Sequence, residues 1–181
     1  AIAEVLFGDY NPSGKLPMTF PRSVGQVPIY YNYLNTGRPG PKKEVFWSHY
    51  TDETNEPLYA FGYGLSYTTF EYSDLKIDTT DNKNIQVSAT ITNTGKVAGE
   101  EVAQLYIRDK VASVSRPVKE LKGFQKFSLK PKQSKTVSFS LTEKELGFYD
   151  NQGKFIVEAG GFEVMIGTDS KTGLKGEFVR K

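Results

Sequence analysis

The sequence predicts a mainly β protein, a β-sandwich of about seven strands preceded by an irregular segment with one short helix. Three observations predict it. From Phe70 onward apolar and polar residues alternate, and turn residues interrupt the alternation at intervals of roughly ten residues. Those last 112 residues have the length and strand number of an immunoglobulin-like or fibronectin-type sandwich. Residues 1–69, by contrast, hold seven of the nine prolines and 13 of the 24 aromatic residues, a density that keeps any strand short. The chain is therefore expected to divide into a segment of residues 1–69 and a sandwich of residues 70–181.

The elements follow in order. Ala1 to Phe7 places Ile2, Val5 and Leu6 on one helical stripe, and Gly8 stands where a helix C-terminus favours glycine. About seven residues are too few for a helix stable in water. With no initiator Met, the stretch reads as the middle of a longer protein. Asn11-Pro12-Ser13-Gly14 signals a turn, and Pro17, Pro21 and Pro28 limit what lies between them to a few extended residues. This segment is expected to wrap around another body. A first strand runs from Phe70 to Ile77. The clearest strand, Ile85 to Thr92, puts Ile85, Val87, Ala89 and Ile91 on one face and ends at Asn93-Thr94-Gly95. Val102–Ile107, Leu121–Leu129 and Val137–Leu141 come next. Thr142-Glu143-Lys144-Glu145 is a capping-box pattern that predicts one helical turn. The last two strands, Lys154–Ala159 and Phe162–Ile166, are expected to meet at Gly160-Gly161.

Composition excludes several function classes. Lys and Arg number 23 against 21 Asp and Glu, a net charge of +2, so no strong field draws the chain to nucleic acid or an anionic membrane. The lysines Lys119, Lys122, Lys126, Lys130, Lys132 and Lys135 do not share one face of a strand, have few aromatic partners among them and read as solvated surface. No apolar run reaches the roughly 18 residues a membrane helix needs. There is no cysteine and one histidine, His49, which removes thiolate chemistry and a conventional zinc site. No cofactor or metal site is expected. Gly62-Tyr63-Gly64 lacks the third glycine and the strand–helix context of a nucleotide loop. Asp81-Asn82 and Asp150-Asn151-Gln152-Gly153 are turn residues without the acidic spacing of a calcium loop.

A glycosidase needs two carboxyl groups held about 5 to 9 Å apart on opposite sides of a sugar. Asp52, Glu53 and Glu56 share one loop, and Glu4, Asp9 and Glu120 are scattered. No catalytic residue is assigned among them. Tyr30, Tyr31, Tyr33, Phe46, Trp47, His49 and Tyr50 cluster around a loop carrying Gly37-Arg38-Pro39-Gly40. Flat aromatic faces serve a carbohydrate pocket and also fasten an irregular segment to a neighbour. Trp47, Tyr50 and Tyr31 are the candidate sugar-contacting or interdomain aromatics, and packing between domains is the favoured role.

Five stretches, AIAEVLFGDYNPSGKLPMTFP (1–21), NTGRP (35–39), PLYAFGYGLSYTTF (57–70), VSATITNTGKVAG (87–99) and SRPVKELKGFQKF (115–127), together resemble the C-terminal part of glycoside hydrolase family 3 β-glucosidases. The overall look is nearest to the periplasmic enzymes of Gram-negative bacteria. The resemblance implies an upstream barrel with a nucleophilic aspartate, an α/β sandwich domain with the acid/base glutamate, and a terminal fibronectin type III-like domain. Residues 1–69 then look like the last helix and strand of the α/β domain plus a connector. Both catalytic motifs lie before Ala1 by that layout, so the chain alone is expected to be inactive, while its parent hydrolyses terminal β-D-glucosyl residues with retention and without a cofactor. The implied partners are the upstream catalytic domains, the implied substrates β-glucosides, and the implied location periplasmic or secreted. Arg38 and Arg116 are candidates for interdomain docking. Three other readings are weighed: a carbohydrate-binding or adhesion module, a chain with residual glycosidase activity, and a parent that is a β-xylosidase or another exo-glycosidase.

Overall fold

A computed structural model describes residues 2–40 and 46–181. Ala1, first residue of the expected helix, lies outside them. Helix α1 (Ile2–Phe7) ends where the Gly8 amide donates to the Val5 carbonyl at 3.2 Å. The strands follow the alternation: β1 (Phe70–Asp78) and β2 (Ile85–Asn93), then β3 (Gly99–Asp109) and β4 (Glu120–Leu129), then β5 (Ser134–Leu141). The turn α2 (Glu143–Leu146) carries the expected capping box: the Thr142 hydroxyl accepts from the Lys144 amide, and Glu145 accepts from the Thr142 amide at 2.9 Å. Two short strands, β6 (Phe148–Tyr149) and β7 (Phe155–Ile156), precede β8 (Gly160–Gly167) and β9 (Gly173–Arg180).

Two antiparallel sheets result, β1-β2-β5 and β4-β3-β8-β9, with β6-β7 as a separate two-residue ladder. Seven strands thus form the sandwich. Strand β2 alternates as expected, with Ile85, Val87, Ala89 and Ile91 fully buried and facing Leu141, Phe139 and Val137 in register. On the other sheet Leu105 and Ile107 pair with Ile166 and Val164, and the rings of Phe162 and Phe178 stack at 5.2 Å across β8 and β9. These side chains fill the space between the sheets, as inward-facing positions of a sandwich must.

Two expectations are corrected. Only Phe155–Ile156 of the expected strand Lys154–Ala159 enters a ladder, with β6. Gly160 and Gly161 make no turn, because β9 pairs with both and the Lys110 amide donates to the Gly161 carbonyl. Strand β9 of the sandwich and the two-residue β6 are absent from the sequence reading. For β9 the reason is visible. Its inward positions are Leu174, Gly176 and Phe178, and a Cβ on Gly176 would stand 2.7 Å from Ile77 Cδ1. A glycine required by close packing thus interrupts the apolar alternation that marks a strand.

Residues 2–69, as far as they are described, form no strand of their own beyond isolated bridges, Phe20 with Tyr59 and Leu34 with Pro117. They hold together through loop contacts instead. Gln26, almost fully buried, accepts from the Arg22 amide at 2.6 Å and donates to the Thr54 carbonyl at 2.7 Å. The segment reaches Gln104 and Tyr106 on the outer face of the four-stranded sheet and Glu101 further along β3.

Candidate functional site

Strand β3 is buried on both faces over Ala103–Ile107. One face belongs to the sandwich core. The other presents Gln104 and Tyr106, which alternation alone would leave in water. Tyr31 stacks on Phe61 with centroids 4.2 Å apart and meets Tyr106 edge-on at 5.9 Å. The Tyr106 hydroxyl donates to Gln104 Oε1 at 2.5 Å, and Gln104 Nε2 donates to the carbonyls of Gly62 and Thr168. Burial, followed by the fields of Tyr31 and Asp169, pushes the Tyr106 hydroxyl well above the ordinary phenol range. Gly62 has φ of 80°, and a Cβ there would come within 2.1 Å of Gln104 Oε1. The Gly62-Tyr63-Gly64 stretch is therefore a backbone approach to the sheet, not a loop for phosphate.

A second attachment is ionic. Lys15 Nζ lies 3.1 Å from Glu101 Oε1, with side chains 14% and 4% exposed. The same oxygen accepts from the hydroxyls of Tyr72 at 3.1 Å and Thr168 at 3.0 Å, and Lys15 also donates to Thr168. Burial and then Glu101 raise the Tyr72 hydroxyl far above its usual range. A third attachment centres on Asn93, fully buried. Its Oδ1 accepts from the Thr68 hydroxyl and the Gly95 amide, and its Nδ2 donates to the carbonyls of Val97 and Leu129. Sequence reading marks Asn93 only as the end of a strand, and Lys15 and Glu101 only as charges.

The expected site residues separate. Tyr31 belongs to the packed face just described. Arg38 is exposed, its guanidinium 5.5 Å from the Phe46 ring centroid. Trp47 is partly buried and its carbonyl accepts from His49 Nδ1 at 2.6 Å, while Tyr50 is exposed and its amide donates to Asn55. Arg116 is tied within the sandwich: Nη2 reaches Glu120 at 2.7 Å and the guanidinium stacks 4.6 Å over Phe148. The loop carboxylates do not converge across a cleft. Glu53 accepts from its neighbour Thr54, and Glu56 pairs with Lys171 at 2.7 Å. Among the described residues no cluster of His, Cys, Asp and Glu could hold a metal, and no helix is long and apolar enough to cross a membrane.

What distinguishes the surface is apolar. Among the described residues, 17 of the 23 large hydrophobic side chains left exposed belong to residues 2–69. Helix α1 buries none of its residues, with Ile2 80% and Phe7 85% exposed. Scattered exposed apolar residues are ordinary, but such concentration on one segment marks an interaction face.

The seven-stranded sandwich, with an irregular segment strapped onto it, places the chain among fibronectin type III-like folds. Residues 101–170 match the fibronectin type III-like domain family, and residues 1–67 match the glycosyl hydrolase family 3 C-terminal domain. The chain belongs to glycoside hydrolase family 3 and corresponds to the C-terminal part of its β-glucosidases. It is 55% identical to a periplasmic β-glucosidase of Salmonella typhimurium over 98% of this chain and 24% of that protein. It is 46% identical to a β-xylosidase of Formosa agariphila over 94% of this chain and 23% of that protein. The crystal structure of a β-glucosidase from Listeria innocua superposes with a TM-score of 0.91 at 45% identity, covering 98% of this chain and 26% of that one. The chain spans about a quarter of the length of the curated relatives it matches.

Proposed function

We propose that the chain is a non-catalytic portion of a longer β-glucosidase and braces its catalytic domains. Residues 1–69 act as the end of the α/β domain and a connector, and residues 70–181 as the fibronectin type III-like domain. The observation that carries this reading is the apolar surface left exposed by the described residues of 2–69, set on a segment that the sandwich grips through Lys15, Tyr31 and Gln104. The upstream domains of the same polypeptide cover that surface, with Arg38, Trp47 and Tyr50 on the docking side. Arg116 acts inside the sandwich, where it holds Glu120 and Phe148. The parent reaction is retaining hydrolysis of terminal β-D-glucosyl residues, in which two carboxyl groups divide one displacement into two steps. Its place is the periplasm or the exterior, in line with the Salmonella relative's name.

Two assays test the reading. The purified chain is expected to give no turnover of an aryl β-glucoside; turnover lost in Glu53→Gln would overturn the non-catalytic role. The chain is also expected to pass unretained through insoluble β-glucan. Retention abolished by Trp47→Ala would instead support a carbohydrate-binding module. The Formosa relative's name favours a second parent activity, β-xylosidase, which parallel assays of the longer enzyme on aryl glucoside and aryl xyloside decide.

A further inference from the structure

The outer face of the four-stranded sheet holds a groove of ≈ 530 Å³ that the bracing role does not use. Its volume lies in the range of small-molecule sites. Tyr106, Met165 and Lys175 stand in register across β3, β8 and β9 and form its floor. Neighbouring strands are about 4.8 Å apart, so the backbones of Tyr106 and Lys175 lie about 10 Å from each other. Tyr31, Tyr33 and Lys119 stand around that floor. Lys119 is half-buried, its Nζ donates to the Ser170 carbonyl, and the Tyr106 ring centroid lies 5.9 Å away. Both contacts favour the charged ammonium. Neither Lys119 nor Lys175 has a carboxylate within ion-pair distance among the described residues. The carboxylates whose fields reach Lys119 are engaged elsewhere. Glu163 meets Arg108 at 3.7 Å and Lys110 at 3.8 Å, Glu56 meets Lys171 at 2.7 Å, and Asp169 accepts from the amides of Lys171 and Thr172. Glu177, the other acid on the groove, meets Lys110 at 3.0 Å.

We propose that this groove binds an acidic sugar, a hexose-sized ring bearing a carboxylate or a phosphate, with Lys119 and Lys175 on the oxyanion and Tyr33 against the ring. Two ammonium groups share the groove without a counter-charge of their own, and an oxyanion between them gains charge-assisted hydrogen bonds from both. An ammonium carries three donors, so the bond to Ser170 leaves Lys119 protons to give. Burial first, and then the charge of Lys175, disfavour the Lys119 ammonium, and a bound anion relieves the second of these. Tyr33 is exposed, and its backbone is pinned to the sandwich by the Val118 amide, which donates to its carbonyl at 2.9 Å. An aromatic ring held at the rim in this way suits the apolar face of a sugar. A neutral sugar would leave the two cations uncompensated, so the charge on the ligand sets the preference. The inference stands apart from the bracing role and from the parent reaction.

The test is isothermal titration calorimetry of the 181-residue chain at neutral pH and low salt, which limits screening, with glucuronate, glucose 6-phosphate, inorganic phosphate and glucose. Glucuronate or glucose 6-phosphate is expected to bind about tenfold more tightly than glucose, and the tighter of the two identifies the oxyanion. Lys175→Gln, at an exposed residue, is expected to weaken that binding about tenfold without moving Tm, and Lys119→Gln to weaken it at least as much. Tyr33→Ala is expected to cost the acidic sugar about fivefold and inorganic phosphate nothing. No binding of either acid, equal affinity for glucose, or affinity that survives both lysine substitutions overturns the proposal. Inorganic phosphate bound as tightly as glucose 6-phosphate overturns the part assigned to the sugar ring and Tyr33.

Discussion

Lys15 and Glu101 lie 86 residues apart in sequence and close the connector onto the sandwich through one oxygen that accepts three hydrogen bonds. A buried pair opposes its own desolvation, so removing one partner is far more damaging than removing both. Lys15→Met is expected to lower stability by about 3 kcal/mol, and Lys15→Met/Glu101→Leu to restore most of it, measured by urea unfolding. Equal losses in the single and double variants would contradict a buried pair. Asp109 makes a pH prediction. Burial raises its carboxyl above the ordinary 3.8, against the opposing pull of Arg116 and the Val111 amide. The folded state then holds this proton more firmly than the unfolded chain, so stability falls as pH rises from 3.8 through the raised value. Asp109→Asn is expected to exceed the parent chain in stability at pH 7, with the gap closing in acid. A gap independent of pH would remove Asp109 from the account.

Alternation was enough to find β2, because every second residue there faces the core and the rest face water. It failed at β9, where Gly176 occupies an inward position against Ile77. It also could not tell that the outer face of β3 is covered, since Gln104 reads as solvent-facing in any strand. The capping box on α2 was legible because it is local: within four residues the Thr142 and Glu145 side chains accept from the backbone amides of Lys144 and Thr142. The connector's grip was not, because it depends on contacts across 25 to 153 residues. Gly62→Ala tests that grip at the element scale. A residue with a side chain at φ of 80° is strained, and its Cβ would displace Gln104. The variant is expected to lose about 2 kcal/mol. Amide exchange should quicken in residues 14–64 while β2 stays protected. Uniform loss of protection, β2 included, would show that the connector is no separate unit of opening.

At the scale of the whole molecule the sandwich and the connector differ in what they leave exposed. The sandwich fills its interior from seven strands and turns charged or hydroxyl side chains outward, as where Lys126 meets Glu100 at 2.8 Å. Even the basic stretch that sequence alone sets on the surface is used this way, with Lys135 over the Phe127 ring. Residues 2–69 instead present Ile2, Leu6, Phe7, Met18 and Val24 to water, and a helix of six residues that buries nothing has no reason to persist unaided. Three of the five sequence stretches that pointed to the family, 1–21, 57–70 and 87–99, carry attachment residues, Lys15, Gly62, Thr68 and Asn93, so they identified the kind of protein through packing.

The bracing claim is tested most directly by recombination. The upstream part of the proposed longer enzyme, lacking these 181 residues, is assayed on an aryl β-glucoside with and without the separately purified chain. The account predicts a stable complex and activity regained on mixing, with Lys15→Met weakening the effect. An upstream part that is equally active and equally heat-resistant without the chain would contradict it.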